Sequence, residues 1–294
     1  KKIDLNNEIK KKDLKLQNNS VITQNNKLLK KCNFFIVTVP TPLIKNKLPD
    51  LKFLRKSIKT ISKFLKKGDF IVIESTVYPG TTKLLAKQIL EKNTSLKLNK
   101  DFYVGYSPER INPGDKKHQV QNIKKILAIE TRSKKIYKRF LTLYSKITKK
   151  IVISKSIDDA ETAKVIENIQ RDLNIALMND IFLFSKKMGL NFKNIVRLAR
   201  TKWNFLRFNP GLVGGHCLPV DPYYLNYIAK RNKIKLETVL AGRSVNEKMK
   251  SVTYDMIVQK ISYIKKFKKK NKILIVGVTY KNDVSDLRNS YPLS

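Results

Sequence analysis

The residues Phe70-Ile71-Val72-Ile73-Glu74-Ser75-Thr76-Val77-Tyr78-Pro79-Gly80-Thr81-Thr82 contain a short apolar run, then a loop, then the start of a helical pattern that continues to residue 91. A continuous apolar, β-branched run of this length is typical of a strand that is buried on both faces of a parallel sheet. Ligands of such sheets bind beyond the carboxyl ends of the strands. The loop that follows Ile73 is therefore a candidate ligand site.

The same order of strand and helix recurs on both sides of this stretch. Further apolar runs occupy residues 34–39, 102–104, 126–129 and 151–153, and further helical patterns occupy residues 51–66 and 134–145. This alternation predicts an α/β domain built on a parallel sheet. The first run ends in Val39-Pro40-Thr41-Pro42, which is a second candidate ligand loop at the end of a strand.

The middle of the chain is predicted to be mostly helical. One long helix is expected from residue 156 to about 188, with Asp158 or Asp159 near its start and Gly189 as its stop. Further helices are expected at 192–200, 222–230 and 235–264, followed by a new buried strand at 272–278. We therefore expect three regions, at 1–154, 155–265 and 266–294, of which the first and the last are incomplete domains.

The composition, with 41% hydrophobic residues, indicates a globular protein. No run approaches the roughly 20 apolar residues of a membrane helix, and the chain begins without a signal peptide, so we expect a cytoplasmic protein. The chain has only two cysteines and two histidines, which argues against a disulfide framework and against a metal site.

The formal net charge is +39, from 62 Lys and Arg against 23 Asp and Glu. Such a charge is typical of proteins that bind nucleic acid or anionic membranes. Here the lysines are spread along the whole chain and accompany no nucleic-acid-binding motif. A lysine-biased proteome is the preferred interpretation, and a nucleic-acid-binding protein stays open as an alternative.

The glycine-rich segment Pro210-Gly211-Leu212-Val213-Gly214-Gly215-His216-Cys217-Leu218-Pro219-Val220-Asp221 is the strongest chemical signal. Glycines let the backbone approach a ligand closely, and a thiol whose pKa is ~8.5 in isolation becomes a nucleophile where its surroundings favour the thiolate. The pattern indicates a covalent catalyst beside a phosphate or sugar site. A cysteine hydrolase using His216 is disfavoured because adjacent side chains usually diverge, and a purely structural turn stays open.

Two other segments carry candidate polar groups. Lys164 and Asn168 share a face of the predicted long helix, followed by Asp172 and Asn179 on nearby turns. A lysine beside a carboxamide suits a developing oxyanion, although an exposed polar face explains the same pattern. The loop at residues 107–115 follows a predicted strand and concentrates charged and amide groups, which fits either a sugar site or a capped turn.

Together these motifs resemble the nucleotide-sugar 6-dehydrogenases, the family of UDP-glucose and GDP-mannose dehydrogenases. The subgroup that matches best is the UDP-N-acetylhexosamine dehydrogenases of bacterial surface polysaccharides. The matching stretches, from about residue 28 to the end, are IVTVPTP, ESTVYPGTT, GYSPERINPGDK, AKVIENIQRDLNIALMND, TKWNF, PGLVGGHC, VDPYYL and AGRSVNEKM. Such a series of long motifs in family order is highly specific.

The resemblance implies an α/β fold, with a Rossmann-like NAD domain, a central helical region whose long helix mediates dimerisation, and the start of a second Rossmann-like, UDP-binding domain. It implies two successive NAD-linked oxidations of a sugar hydroxyl to a carboxylate. By resemblance, Cys217 is the nucleophile that traps the aldehyde, Lys164 and Asn168 hold the oxyanion, and Asp221 supports proton transfer and hydrolysis.

The resemblance also assigns binding residues. Those expected to bind NAD are Val39, Pro40, Thr41, Ser75, Thr76 and Arg288. Thr76 and Glu109 are expected to order a water and contact the reacting sugar. The other residues expected to bind the sugar nucleotide, besides Lys164 and Asn168, are Arg110, Asn209, Gly211, Gly214, Tyr280 and Lys281. The implied partners are a UDP-N-acetylhexosamine substrate and a second copy of the chain, with no specific nucleic acid, no membrane and no metal.

Departures from the family pattern limit this interpretation. No strand followed by a glycine-rich dinucleotide fingerprint is evident before Cys32, and Leu218-Pro219 and Asn282 replace residues common in the subgroup. The sequence therefore predicts a dehydrogenase lacking both termini, with the hexosamine left open. A non-catalytic remnant that only self-associates is the alternative.

Overall fold

A computed structural model describes residues 20–111, 115, 117–263, 273–279, 287 and 290. Within them, one sheet has five strands in the spatial order β1 to β5. The strands are Phe34–Val37 (β1), Phe70–Ile73 (β2), Tyr103–Tyr106 (β3), Lys125–Ile129 (β4) and Ile151–Ser154 (β5). Each is close to a run that the sequence predicts.

The predicted parallel sheet needs one correction. Three of the four neighbouring pairs are parallel, but β3 and β4 are antiparallel, with Gly105 opposite Ile129. Parallel neighbours require a crossover, which helices supply between the other consecutive strands. Between β3 and β4 the chain contains a loop and no described helix, so it returns along the edge of β3 in the opposite direction.

Seven helices are described. They are Lys52–Ser62 (α1), Thr81–Leu85 (α2), Lys134–Ser145 (α3), Ile157–Lys187 (α4), Phe192–Ala199 (α5), Asp221–Arg231 (α6) and Glu237–Ser262 (α7). A short 3₁₀ helix, Asn26–Lys31, precedes β1, and the segment Ala86–Glu91 continues α2 in π-helical geometry. Each helix from α1 to α7 overlaps a helix predicted from the sequence.

Helix α4 begins and ends as its sequence predicts. The Ser156 hydroxyl oxygen accepts the backbone N–H of Asp159 at 3.1 Å, which caps the first turn. After Lys187 the chain reaches Gly189 with a φ of +68°. Glycine adopts this left-handed conformation without a steric penalty, so it can stop the helix there.

The core beneath the sheet is aromatic. The ring of Phe70 on β2 stacks on Phe34 and on Phe140, with centroids 5.0 Å apart in both pairs. Phe140 and Tyr144 of α3 are fully buried, and all four residues of β2 are buried as well. The burial of both faces of β2, expected from its continuous apolar run, is confirmed.

The described residues form two compact units. The first contains residues up to Val165 together with Tyr223–Ile228, and therefore holds the sheet. The second contains Ile166–Pro222 and the residues from Ala229 onward. In the second unit α7 packs closely on α4, since a Cβ atom added at Gly242 would collide with the side chain of Leu173.

The structure differs from the predicted strand at residues 272–278. Residue 272 lies outside the described residues, and residues 273–278 form no strand. Leu274 and Val276 are 85% and 87% exposed. A buried strand needs neighbouring strands that pair with it and cover it, and no described strand pairs with this segment.

Helix α4 buries a carboxyl group against the loop that follows β2. Glu161 is fully buried, and its two carboxyl oxygens accept the backbone N–H groups of Gly80 at 2.6 Å and Thr82 at 2.9 Å. Burial raises the pKa of Glu161 from 4.5 to about 7, although these N–H groups favour the charged form. The same side chain therefore anchors the loop and makes its anchoring pH-dependent.

We expect the free energy of unfolding to fall as pH rises between 4.5 and about 7, because the unfolded chain loses the Glu161 proton first. A shift of this size corresponds to about 3 kcal/mol. Glu161→Gln should remove that fall, even if losing an acceptor lowers the stability at every pH. Urea unfolding of both proteins from pH 5 to 8 measures the difference. Asp159→Asn, which changes an exposed carboxylate of α4, should keep the wild-type pH dependence.

A second buried charge lies where β4 begins. The ammonium of Lys125, 3% exposed, lies 3.4 Å from the Glu74 carboxylate after β2 and 3.8 Å from that of Glu109 after β3. The Tyr144 hydroxyl donates to Glu74 at 2.6 Å. Burial, and then the charge of Glu74, raises the pKa of Tyr144, which keeps this donor protonated.

Lys125→Met should lower the free energy of unfolding by about 3 kcal/mol, because it leaves two carboxylates without their cation. The matched control is Lys124→Met at the neighbouring exposed position, where we expect a change within about 0.5 kcal/mol. Chemical denaturation at pH 7 measures both. Equal effects of the two substitutions would show that the buried ammonium contributes nothing specific.

Candidate active site

The ends of β1 and β2 bring four of the predicted NAD-binding residues together. The Ser75 hydroxyl donates to the carbonyl of Val39 at 2.6 Å, and the Thr41 hydroxyl donates to the carbonyl of Thr76 at 2.7 Å. The Tyr224 hydroxyl donates to the carbonyl of Thr41. The first two bonds hold the two loops beside each other at the carboxyl edge of the sheet, and the third fastens the first loop to α6.

The chemistry of this edge fits a nicotinamide cofactor. Val39 is half-buried and Pro40 is exposed, which gives an apolar surface beyond the end of β1. The hydroxyls of Thr41, Ser75 and Thr76 add small polar groups beside it. An apolar surface with a few fixed polar groups at the end of parallel strands is the usual environment of a dinucleotide.

Glu109 lies in the loop after β3, and local bonds fix its side chain. One of its carboxylate oxygens accepts the backbone N–H groups of Arg110 and Ile111, at 2.7 and 2.6 Å. The other lies 3.8 Å from the ammonium of Lys125, and the side chain remains 45% exposed. Arg110 donates to the carbonyl of Lys124 at 3.0 Å. Glu109 is therefore oriented and also accessible.

Lys164 lies on α4 and is only 8% exposed. The alternative that Lys164 belongs to an exposed polar face of the helix is therefore wrong. Asn168, one turn later, is half-buried. A lysine and a carboxamide that share a partly buried helix face are suited to stabilise an anionic oxygen.

The cysteine lies in the turn that leads into α6. Cys217 is in no disulfide and is exposed, while its backbone carbonyl accepts the N–H groups of Val220 and Asp221, at 3.0 and 2.9 Å. Asp221 is 2% exposed, and the side-chain amide of Asn168 donates to its carboxylate at 2.5 Å. Two of the predicted catalytic residues are thus in direct contact, and Cys217 is four residues from the contact.

The remainder of the loop is held through its backbone. Gly211 donates its N–H to the side-chain oxygen of Asn179 at 2.8 Å, and its carbonyl accepts from the Asn179 amide at 3.1 Å. The side-chain oxygen of Asn209 accepts from Arg200 at 2.8 Å. Gly214 is half-buried, and Gly215 has a φ of +89°, a conformation that glycine adopts readily.

Three predicted site residues lie outside the described residues. They are Tyr280, Lys281 and Arg288.

Sequence reasoning assigned no function to Lys125 and none to Asn179. Nothing in the sequence around Lys125 distinguishes it from the other lysines of this very basic chain. Asn179 is eleven residues after Asn168, and this spacing places both on one helix face. Its partner Gly211 is 32 residues further along, so only the folded structure identifies the pair.

The described part of the chain contains neither a candidate membrane span nor a candidate metal site. No helix there has both the length and the apolar character that a membrane span requires. Among the same residues, no three His, Cys, Asp or Glu side chains form a group that could hold a metal ion.

Comparison with known families gives two matches. Residues 4–148 match the NAD binding domain of the UDP-glucose/GDP-mannose dehydrogenase family, and residues 158–248 match the central domain of the same family. The first match confirms the expected cofactor, NAD.

Individual relatives agree with the family. The chain is 45% identical over 289 residues to UDP-N-acetyl-D-glucosamine 6-dehydrogenase of Pseudomonas aeruginosa, covering 98% of this chain and 68% of that protein. It is 42% identical to the enzyme of the same name from Salmonella typhi, again covering 98% and 68%.

A solved structure supports the same assignment. The UDP-D-ManNAc dehydrogenase of Pyrococcus horikoshii superposes with a TM-score of 0.82 at 33% identity, covering 92% of this chain and 63% of that one. The Rossmann-like fold predicted from the sequence is thereby confirmed. The chain belongs to the UDP-glucose/GDP-mannose dehydrogenase family and contains that family's NAD-binding and central domains.

Proposed function

We propose that this protein oxidises C6 of a UDP-N-acetylhexosamine from the alcohol to the carboxylate, with two NAD⁺ consumed per sugar. The observation that carries the proposal is the cysteine loop, in which an exposed Cys217 is followed by a buried Asp221 that Asn168 holds. Membership of the family and the names of its relatives support the choice of substrate class.

The cofactor binds at the carboxyl ends of β1 and β2 in this proposal. Val39 and Pro40 provide the apolar surface, Thr41, Ser75 and Thr76 provide the polar groups, and Arg288 contacts the phosphates. When bound, NAD⁺ accepts a hydride at each of the two oxidation steps. The bonds that join the two loops keep the binding surface in place before the cofactor arrives.

Cys217 makes the second oxidation possible. The first oxidation converts the alcohol to an aldehyde and releases one NADH and one proton. The Cys217 thiolate adds to the aldehyde carbon and, after protonation, gives a thiohemiacetal, whose oxidation yields a thioester, a second NADH and a proton. Water then cleaves the thioester, which restores the thiol and leaves the carboxylate with a third proton. Covalent capture keeps the reactive aldehyde in the site between the two steps.

The charged intermediates need donors and a proton acceptor. Lys164 and the amide of Asn168 stabilise the oxyanion that forms when the thiolate or the water attacks. Such donors contribute about 3 kcal/mol each when they are preorganised. The Asn168 amide also orients the carboxylate of Asp221, which accepts the proton of the attacking water. Thr76 and Glu109 order this water and contact the sugar.

The remaining predicted residues bind the nucleotide sugar. Arg110, Asn209, Gly211 and Gly214 lie along the loops that hold the hexosamine, and Tyr280 and Lys281 contact the nucleotide sugar. The relatives act on both gluco- and manno-configured sugars according to their names, so the hexosamine is one of this class. The product serves a surface polysaccharide, and the protein is cytoplasmic.

The protein also forms a homodimer in this proposal. Helix α4 exposes Ile166, Leu177 and Phe184, which are 48%, 56% and 58% exposed. Their spacings of eleven and seven residues place them on one face of the helix. A row of exposed apolar side chains on a long helix is a typical self-association surface.

The first test measures the NADH released per UDP-sugar consumed. Two NADH per N-acetylhexosamine and a uronate product are expected with one of the gluco, galacto or manno sugars. Cys217→Ser should lower uronate formation by more than about 1,000-fold, because the nucleophile of the second oxidation is lost. Cys32→Ser, which changes the half-buried cysteine, is the control and should keep the activity. Unchanged activity of Cys217→Ser, or no turnover of any of these sugars by folded wild-type protein, would contradict the proposal.

The dimer has a separate test. The double variant Leu177→Glu with Phe184→Glu should be a monomer in sedimentation velocity at micromolar concentration, because two charges would have to be buried in the interface. Arg171→Glu, an exposed position on another face of α4, should leave the dimer intact. A dimer that survives the double substitution would exclude this face of the helix.

A further inference from the structure

We propose that Asn179 is a positioning residue for Cys217, and that Asn179 and Asn168 together clamp the two ends of the cysteine loop, residues 211–221, onto one face of α4. This inference rests on the proposed function, since it concerns the loop that carries the nucleophile. It adds a residue that contacts none of the reacting groups and acts through the backbone.

The first end of the loop is held by a reciprocal pair of bonds. The carboxamide of Asn179 accepts from the N–H of Gly211 at 2.8 Å and donates to the carbonyl of the same residue at 3.1 Å. An asparagine side chain that accepts from the N–H and donates to the carbonyl of one residue makes the same two hydrogen bonds as a neighbouring β-strand. Because glycine has no side chain, Asn179 controls both strong hydrogen-bonding groups of Gly211.

The second end of the loop is held by a side chain. The amide of Asn168 donates to the buried carboxylate of Asp221, whose own N–H bonds the carbonyl of Cys217 at 2.9 Å. Between the two ends, Val213 is 3% exposed and packs the loop inward. Cys217 is thus connected to α4 through Asp221 and Asn168 on one side and through Gly211 and Asn179 on the other.

The helix sets the distance between the two anchors. Eleven residues are just over three turns, so Asn168 and Asn179 lie on the same face about 16 Å apart. A segment of ten residues can extend to about 33 Å. The loop is therefore about twice as long as its span, so chain length alone does not fix its path, and loss of the Asn179 anchor would release Gly211. Displacements of about 1 Å already reduce rates strongly in a reaction that depends on orientation.

A buried network determines the orientation of Asn179. The amide of Asn246 donates to the backbone carbonyl and the carboxylate of Asp172, at 2.9 and 2.8 Å, so its oxygen accepts from Asn179 at 2.8 Å. Arg243 donates to the same carboxylate at 2.5 Å. Asp172, Asn179, Arg243 and Asn246 are each at most 1% exposed.

This network leaves Asn179 a single arrangement. If its carboxamide were rotated by 180°, its oxygen would face the oxygen of Asn246, and its NH₂ group would face the N–H of Gly211. Asn246 cannot rotate to compensate, since Asp172 takes its donors. Each of these hydrogen bonds is buried, so losing one would cost considerable free energy. The network therefore fixes the orientation of the Asn179 carboxamide and, through it, the position of Gly211. A buried ion pair such as Asp172 with Arg243 adds little net stability, so its contribution here is to orientation.

The test compares Asn179→Ala with Asn174→Ala in the full chain. Asn174 is half-buried on the same helix, and its amide donates to the backbone carbonyl of Gln170 at 2.7 Å, so it is a matched control for loss of a carboxamide. Three quantities are measured: kcat with the UDP-sugar, the Kd for NAD, and amide hydrogen exchange of peptides from the loop and from the sheet.

For Asn179→Ala we expect kcat to fall by roughly tenfold or more, while the Kd for NAD stays within about twofold. The predicted NAD residues at the ends of β1 and β2 all belong to the other unit. Exchange in residues 211–217 should accelerate by roughly tenfold or more, and exchange in the sheet should not change. Asn174→Ala should leave all three quantities at the wild-type values.

If Asn179→Ala does not fold, Asn179→Ser replaces it, since its hydroxyl, together with a water in the space left by the carboxamide, can bond to Asn246 and the loop backbone. Faster exchange throughout the protein, with kcat falling only in proportion to the unfolded fraction, would overturn the proposal. Unchanged exchange in the loop would overturn it as well. Wild-type protein that oxidises no UDP-sugar would refute the proposed function, whereas the exchange data would still decide whether Asn179 anchors the loop.

Discussion

A polar side chain that is buried by a helix must find its hydrogen-bond partner inside the protein, and this requirement decides what lies against α4. Glu161 binds the N–H groups of the loop after β2, Asn168 binds Asp221, and Asn179 binds Gly211. Each of these partners belongs to a segment that carries predicted site residues. The position of the candidate chemistry therefore depends on a few buried or half-buried polar groups of one helix rather than on the apolar core.

The aromatic core and the buried charged groups of the sheet have different structural consequences. The aromatic core around Phe70 stabilises the sheet through apolar area, and such contacts tolerate small shifts because they have little direction. The buried charges at the edge of the same sheet are directional. Lys125 lies between Glu74 and Glu109, and it therefore relates the ends of β2 and β3 to each other. The core stabilises the domain, and the charged groups at the edge of the sheet fix the positions of the strand ends relative to each other.

Local patterns in the sequence predicted the elements well, because strands and helices follow from the spacing of apolar residues. The run at Phe70–Ile73, the long helix and its stop at Gly189 all follow from such patterns. The direction of β4 and the state of residues 273–278 depend on which strands become neighbours, which no local pattern contains. The family motifs identified the cysteine loop, but the contact of Asn179 with Gly211 joins residues 32 positions apart and becomes visible only in the fold.

The exposure of Cys217 explains why its loop is held through backbone groups by side chains of α4. A thiol that must attack a substrate carbon has to be accessible, so contacts that bury the side chain cannot hold the residue in place. The glycines that allow a ligand to approach also increase the conformational entropy that the loop loses on folding. An accessible nucleophile on a glycine-rich loop therefore needs anchors on its backbone, on both sides, that leave the thiol uncovered. Two asparagines three turns apart on one helix meet this need, because a carboxamide can donate and accept at once and the helix keeps the distance between them constant.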